Sequence, residues 1–509
     1  MPRKYRFVFL AILAFSMVGT RISAFSENPP QTPEVVVIDD SAPTHPLPHF
    51  WEEMFGSGRA ILALRDSYRT DLRAVKQATD FQYVRFHAVF QDEVGLYDED
   101  AQGNPVLNFS YIDQIYDGLL ADGVRPFVEL SFMPKKLAAD KNALHAFWYK
   151  QNISPPKDYD KWDDMIRQFT KHLVDRYGAK EVEQWYFEVW NEPNLDFWAG
   201  EPRQSTYFEL YDRTVRVIKS ADPRLRVGGP ATAQAAWADV FIRHCVENNI
   251  PVDFVSSHVY GNDKSEDVFG TSEKIPRNRM VCRAVKKVHD QIKASAKPEL
   301  PLIWSEFNAS YMNETAVTDS TYMGPWLADT IRQCDGIVDM MSYWTFSDVF
   351  EEQGVVKEPL YGGFGVIAER SIPKPAYAAF AILHKLGKER IAVDSDDVLV
   401  TRRKDGARVI ALWNYMAEPD SHDTGTPKTI TLKFKGHVGK HATVFRVDHQ
   451  HGDMHSAYEK MGSPRYPTEA QIETLRSAAR LSAPESRDVH RGELTVTVPS
   501  DGLAVIEVE

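Results

Sequence analysis

From about residue 50 to residue 385, short apolar runs alternate with longer amphipathic stretches. The short runs predict strands near 54–62, 82–88, 125–131, 184–191, 225–230, 253–259, 301–306 and 339–346. The amphipathic stretches predict helices over 68–79, 160–178, 207–220, 234–248, 276–294 and 321–335. Eight strand–helix units in this order point to an α/β fold of the (β/α)8 TIM-barrel type. An open doubly wound sheet is the competing arrangement, and it usually carries a Gly-rich phosphate turn after its first strand. Gly56-Ser57-Gly58-Arg59 is the nearest stretch, and no Gly follows it at the required spacing.

Beyond residue 390 the pattern shortens. Segments 397–402, 407–414, 428–434, 442–447, 493–498 and 502–508 are β-branched, alternating and separated by turn residues. They predict a C-terminal antiparallel β-sandwich, interrupted by a helical insert around 467–481. The run 33–39, PEVVVID, reads as one more strand and a possible sandwich edge. The resulting division is a signal peptide over 1–24, an N-terminal segment over 25–48, a barrel over 49–388 and a sandwich over 389–509.

In a barrel, functional groups stand at the C-terminal ends of the strands. Here those ends carry His87, Glu129, Asn191, Glu192, His258, Tyr260, Glu306 and Trp344. Glu192 closes the aromatic run WYFEVWNEPN at 185–194, and Glu306 closes PLIWSEF at 301–307. A carboxylate at the end of a buried strand is costly unless it has partners or a task. Two of them meet the needs of glycoside hydrolysis: one proton donor and one nucleophile or base.

Partial burial and a neighbouring carboxylate both raise a carboxyl pKa, which fits Glu192 as proton donor. Asn191 beside it offers an amide to a sugar hydroxyl. Glu306 is the candidate nucleophile, with His258 and Tyr260 as candidate donors to it. Arg85 is expected to orient a carboxylate from below, while His87 reaches sugar hydroxyls. Period two would set Glu188 on the face of Trp190 and Glu192, but deeper, as a partner for Arg85. After the eighth strand, Trp344, Phe346 and Phe350 offer apolar platforms, and Glu351 and Glu352 offer acceptors. The tract Asp448, His449, His451, Asp453 and His455 has a metal-like composition. Its place in the β-rich region, far in sequence from both glutamates, favours a solvated loop. No metal and no cofactor is called for.

Composition adds limits. The chain has 509 residues, 43% of them hydrophobic and 26% charged, as expected of a globular protein. A net charge of −13 argues against a nucleic-acid-binding surface. Aromatics reach 12%, with 11 Trp, which suits sugar stacking as well as core filling. Arg3, Lys4 and Arg6, an apolar run over 7–19 and Ile22-Ser23-Ala24 resemble a cleavable secretory signal. The expectation is an exported protein, periplasmic or extracellular, with no membrane contact after cleavage. Cys245, Cys282 and Cys334 lack any close spacing. Buried free thiols are favoured, with room for at most one bridge. Sequons stand at Asn108, Asn152, Asn308 and Asn313, and a glycan on Asn308 would crowd the Glu306 site.

These segments resemble glycoside hydrolase family 39, which holds β-xylosidases and α-L-iduronidases. WYFEVWNEPN and IWSEFN resemble its two catalytic segments. So do VRFHAVFQDEVGLY at 84–97, SSHVYG at 256–261, SYWTFSDVFEE at 342–352 and MGSPRYPT at 461–468. The resemblance implies a retaining double displacement, with Glu306 attacking and Glu192 serving as acid and then base. It implies sugar contacts from His87, Asn191, Tyr260, Trp344 and Glu351. Ala88 departs from the Gly that many relatives carry there. A scarcity of cations near residues 303–313 favours a β-xylosidase acting from the non-reducing end of xylooligosaccharides, although Arg59 could serve an iduronide. An α-L-arabinosidase, a transglycosylase and a non-catalytic carbohydrate-binding protein are the other readings. The presence of both glutamates speaks against the last.

Overall fold

The computed structural model describes residues 33–417, 425–436 and 439–508. Eight parallel strands close into a barrel. They are β1 (Met54–Gly56), β2 (Tyr83–Phe86), β3 (Arg125–Leu130), β4 (Tyr186–Val189), β5 (Arg226–Thr232), β6 (Phe254–Tyr260), β7 (Leu302–Asn308) and β8 (Met340–Tyr343). Each pairs with the next in chain order, and β8 pairs with β1. The (β/α)8 barrel is therefore complete. The crossover helix Ser110–Ala121 and, after β8, the helix Pro375–Leu383 add to those read from the pattern. The predicted strand 54–62 is shorter than expected. It stops at Gly56 and gives way to a 3-10 turn over Ala60–Leu64 after Gly58.

The barrel interior changes character with height. Met54, Tyr83, Phe127, Phe254, Ile303 and Met340, with Tyr186 against them, form a closed apolar plug at the bottom. On β5 the corresponding place is Gly228, where a Cβ would lie 2.4 Å from the Phe254 carbonyl oxygen. Two residues further along the same strands stand Arg85, Glu129, Glu188, Ser256, Ser305 and Ser342, all buried. Side chains two apart on a strand share a face, so the plug directly supports this polar layer. β1 contributes Gly56 to it. A Cβ there would meet the Trp344 ring at 2.0 Å, so the absent side chain is what lets Trp344 lie across the mouth.

C-terminal to the barrel, a seven-stranded sheet and a three-stranded sheet face each other across Val36, Ile38, Val400, Ile410, Leu412, Ile430, Val444, Val496 and Ile506. The strand Glu34–Asp39 is the edge of the smaller sheet, as its pattern suggested. It pairs with Lys428–Lys435 in parallel, a departure from an all-antiparallel sandwich. The other face of the large sheet, through Leu399, Val409, Ala411, Trp413 and Val505, joins the core of the barrel helices. From Pro33 onward the described residues thus form one compact unit. No helix among them is long and apolar enough to cross a membrane.

The insert consists of two helices, His455–Lys460 and Glu469–Ala478, the second opened by a capping box on Thr468 and Gln471. Met454, Tyr458, Ile472 and Leu475 pack against Leu360, Ala368 and Ile372 of the loop after β8. The sandwich thereby buttresses the loop that carries Glu351 and Glu352.

The cysteine expectation is corrected. Cys282 and Cys334 form a disulfide between helices Arg277–Lys293 and Met323–Cys334, and Cys245 is the buried free thiol. The glycan concern at Asn308 is corrected as well. Asn308 is fully buried and its amide donates to the Trp344 carbonyl at 2.6 Å, which leaves no room for a sugar. Residues 1–24, the expected signal, lie outside the described residues.

Candidate active site

Arg85 organises the floor of the site. It is fully buried on β2. Its Nε donates to Glu188 at 2.6 Å, and its Nη1 to Glu306 Oε1 at 2.6 Å. Its Nη2 serves Asn191 Oδ1 at 2.9 Å and Glu129 Oε2 at 2.8 Å. Burial disfavours the guanidinium charge, but Glu188, Glu129 and Glu306 outweigh it and raise its pKa. Glu188 is a partner of Arg85, as expected. The alternation does not continue past it, however. β4 ends at Val189, and Trp190 adopts φ 71°, which turns its ring into the core against Phe132 and Trp198. Glu192 reaches the site from its own left-handed turn, φ 43°, with its N–H donating to Ala231 O at 2.8 Å.

Glu306 at the end of β7 receives two donors. Arg85 holds Oε1, and the Tyr260 hydroxyl donates to Oε2 at 2.5 Å. His258 goes mainly elsewhere. Its Nδ1 is hydrogen-bonded to Glu192 Oε1 at 3.0 Å and its Nε2 to Ser305 Oγ at 3.0 Å, while Glu306 Oε1 is 3.6 Å away. Burial, then Arg85 and His87, push the His258 pKa well down, so this ring is neutral. Glu192 moves the other way. Burial, then the charge of Glu306 and that of Asp263, raise its pKa well above the usual carboxylate range. Two like carboxyls therefore sit in unlike surroundings.

Glu192, His258 and Glu306 offer oxygen and nitrogen atoms that all lie within 4.8 Å of one another. Atoms this close suit a retaining pair, whose carboxyl groups stand about 5–5.5 Å apart, better than the wider spacing of an inverting one. The donor types would suit an ion, but the His258 nitrogens already face Glu192 and Ser305. A second such set, His49, Glu52 and His384, lies at the opposite end of the barrel, where both rings are hydrogen-bonded to Glu52 Oε1. The tract from Asp448 to His455 is held by contacts of its own, among them His451 to Asp448 at 2.7 Å and His455 to the Asp319 carbonyl at 2.9 Å.

His87 is hydrogen-bonded through Nδ1 to Glu129 at 2.7 Å, and Ser131 donates to the same carboxylate. Its Nε2 faces the pocket, 3.8 Å from Glu306 and 3.7 Å from Glu352. The Trp344 ring lies 4.8 Å from His87 and forms one wall with Phe350 and Phe364. Ala88, next in the chain, sits at φ 70°, a conformation that costs a non-glycine residue about 1–2 kcal/mol.

The loop after β8 revises the expected acceptor. Glu351 is clamped by Arg65 at 2.5 Å and Arg59 at 3.1 Å. Burial opposes its charge, but the two arginines prevail and lower its pKa. Glu351 adopts φ 65°, and this turn brings Glu352 toward His87 instead. Burial, Glu306 and Glu192 raise the Glu352 pKa strongly. Neither Arg65 nor Ser305 carries a local signal that would single it out in the sequence; both act through contacts made only on folding.

The family model for glycosyl hydrolases family 39 matches residues 34–493. The chain belongs to this family. It is 38% identical over 474 residues to a β-xylosidase of Geobacillus stearothermophilus, covering 90% of this chain and 92% of that protein. It is 37% identical over 450 residues to a β-xylosidase of Caldicellulosiruptor saccharolyticus, covering 85% and 88%. The solved structure of a monomeric β-xylosidase from Caulobacter crescentus superposes with a TM-score of 0.84 at 34% identity, covering 94% of this chain and 99% of that one. The barrel and the site fall within the span that the family model matches, as does the sandwich up to its last two strands, Glu493–Val498 and Gly502–Val508.

Proposed function

We propose that this family 39 protein is an exported, exo-acting, retaining β-xylosidase that releases xylose from the non-reducing end of xylooligosaccharides. The observation that carries the chemistry is the Glu192–Glu306 pair: close together, one burdened by burial and a neighbouring charge, the other facing two donors. Glu306 attacks the anomeric carbon, and the glycosidic oxygen leaves with the Glu192 proton. A water then attacks the same carbon, gives its proton to Glu192, and the bond to Glu306 breaks. Arg85 and Tyr260 position Glu306. His87, Asn191, Trp344 and Glu352 contact the sugar, while Glu351 acts through the arginines that hold its loop.

The identity to two β-xylosidases over most of the chain supports xylose as the sugar. The electrostatics support a neutral sugar over an iduronide. Glu192, Glu306 and Glu352 crowd the pocket, and Arg59 is already paired with Glu351 and with Glu93 at 2.7 Å. Export is supported by the signal-like start and by the Cys282–Cys334 bridge, which suits an oxidising compartment. A panel of aryl β-xyloside, α-L-arabinoside, β-glucoside and α-L-iduronide tests the reading. The β-xyloside is expected to be cleaved fastest. Preference for the iduronide, or cleavage of none, would contradict it.

A further inference from the structure

The chain enters the barrel past His49 and Glu52, just before β1, and leaves its last helix, Pro375–Leu383, at His384. These three side chains meet at the end of the barrel opposite Glu192 and Glu306. One donor atom from each lies within 4.8 Å of the other two. Glu52 is fully buried, and the His49 ring packs on the buried Trp51 at 4.4 Å.

Protons on neutral rings do not balance the hydrogen bonds of this cluster. His49 Nε2 faces the Leu386 carbonyl at 3.0 Å. A carbonyl only accepts, so Nε2 carries the hydrogen, and a neutral ring then has a bare lone pair on Nδ1. That Nδ1 stands 2.6 Å from Glu52 Oε1, and an ionised carboxylate also only accepts. His384 Nδ1 meets the same oxygen at 2.8 Å. The second oxygen, Oε2, is buried and has no hydrogen-bond partner among the described residues. With protons alone, either a ring is charged or the carboxyl is neutral. In both cases Oε2 stays bare, a costly state for a buried polar atom.

A metal ion serves all four atoms at once. Both Nδ1 lone pairs and both carboxylate oxygens become donors to it. The bond from Nε2–H to the Leu386 carbonyl then becomes the outer contact that fixes the ring of a metal-bound histidine. Two histidines and a glutamate are a donor set that zinc takes. Bonds of about 2.0–2.1 Å spread tetrahedral donors to about 3.3 Å. The His384 side chain is 44% exposed, so its ring is free to withdraw to that spacing. A cavity of about 760 Å³, lined by both histidines, gives an ion a way in and room for a water. Two cations on its wall are already neutralised, Arg402 by Glu389 at 2.8 Å and Arg403 by Glu507 at 3.0 Å.

We propose that His49, Glu52 and His384 form a divalent-metal site, suited to zinc, that ties the entry of the barrel to the end of its last helix. The site is structural and stands apart from the sugar chemistry. It departs from the sequence reading, which called for no metal, because residues 49, 52 and 384 come together only when the barrel closes.

The test titrates zinc chloride into the chelator-stripped full-length enzyme, with calorimetry for binding and melting temperature for stability. Wild type is expected to bind one ion tightly and to melt higher with it. His384→Ala is expected to weaken binding by about 100-fold and to lose that rise. Its turnover of an aryl β-xyloside, measured without metal, shows that it is folded. Glu306→Ala is expected to keep both the binding and the rise, because the carboxylates at the other end of the barrel are not involved. Cobalt(II) in place of zinc should show the visible absorption of tetrahedral coordination in wild type and not in His384→Ala. Absence of tight binding in wild type, or equal binding in His384→Ala, would overturn the site and assign the cluster to a bridging proton. Binding lost in Glu306→Ala and kept in His384→Ala would overturn it too, by placing the ion at the catalytic pair.

Discussion

The Tyr260 hydroxyl donates to Glu306 Oε2 at 2.5 Å, while Arg85 occupies Oε1. The carboxylate is thereby fixed in one orientation from the neighbouring strand β6 and from β2 across the barrel. Tyr260→Phe removes one donor and leaves the ring. The expected loss in kcat is about 10–100-fold, with a smaller change in KM, because the lost bond tunes a group that reacts. Steady-state kinetics on an aryl β-xyloside check this. A kcat within twofold of wild type would show that Arg85 alone suffices.

Glu192 is raised by burial, then by Glu306 and Asp263. A proton donor works only while it holds its proton, so activity falls as pH rises through that raised pKa. Glu192→Gln is expected to abolish this alkaline limb. It should slow substrates with poor leaving groups by about 10²–10⁴-fold and spare those with very good ones. A pH profile that keeps its alkaline limb in the variant would assign the limb to another group.

Asp71 lies outside the site and links helix Asp66–Ala78 to the segments after β8. It accepts hydrogen bonds from Ser347 at 2.5 Å and Ser371 at 2.6 Å. Burial nevertheless pushes its carboxyl up, from 3.8 to about 7. The folded state then binds a proton that the unfolded state has released. The penalty is absent below pH 3.8, grows through the interval and is full above about 7. Its ceiling is about 4 kcal/mol. Asp71→Asn should therefore gain in melting temperature relative to wild type as pH rises from 4 to 8. A difference that does not change with pH would contradict the burial argument.

Cys282 and Cys334 are 52 residues apart and pin two crossover helices together. Closing a loop of that size removes about 4 kcal/mol of unfolded-chain entropy. Cys282→Ser is expected to lower the melting temperature and to leave kcat unchanged well below it. An unchanged melting temperature in the variant would mean that helix packing alone fixes this region.

The two carboxylates were legible in the sequence because each ends a buried strand, where an unpartnered charge is expensive and a barrel places its function. The polar floor was partly legible, since Arg85 and Glu188 follow the strand period from the apolar plug below them. Three features lay beyond it. Trp190 leaves that period because its backbone turns left-handed, a choice no apolar pattern records. Glu351 and Glu352 are adjacent and alike, and only the turn at φ 65° and the Arg59–Arg65 clamp decide which faces the pocket. The Cys282–Cys334 pair depends on how two helices pack, which residue spacing does not reveal.

The stereochemistry of the released sugar decides the mechanism. With an aryl β-xyloside as substrate, proton NMR in the first minutes of turnover reports which anomer forms before mutarotation. A double displacement through Glu306 yields β-xylose first. First release of α-xylose would mean a single displacement by water, and the roles given to Glu306 and Glu192 would fall.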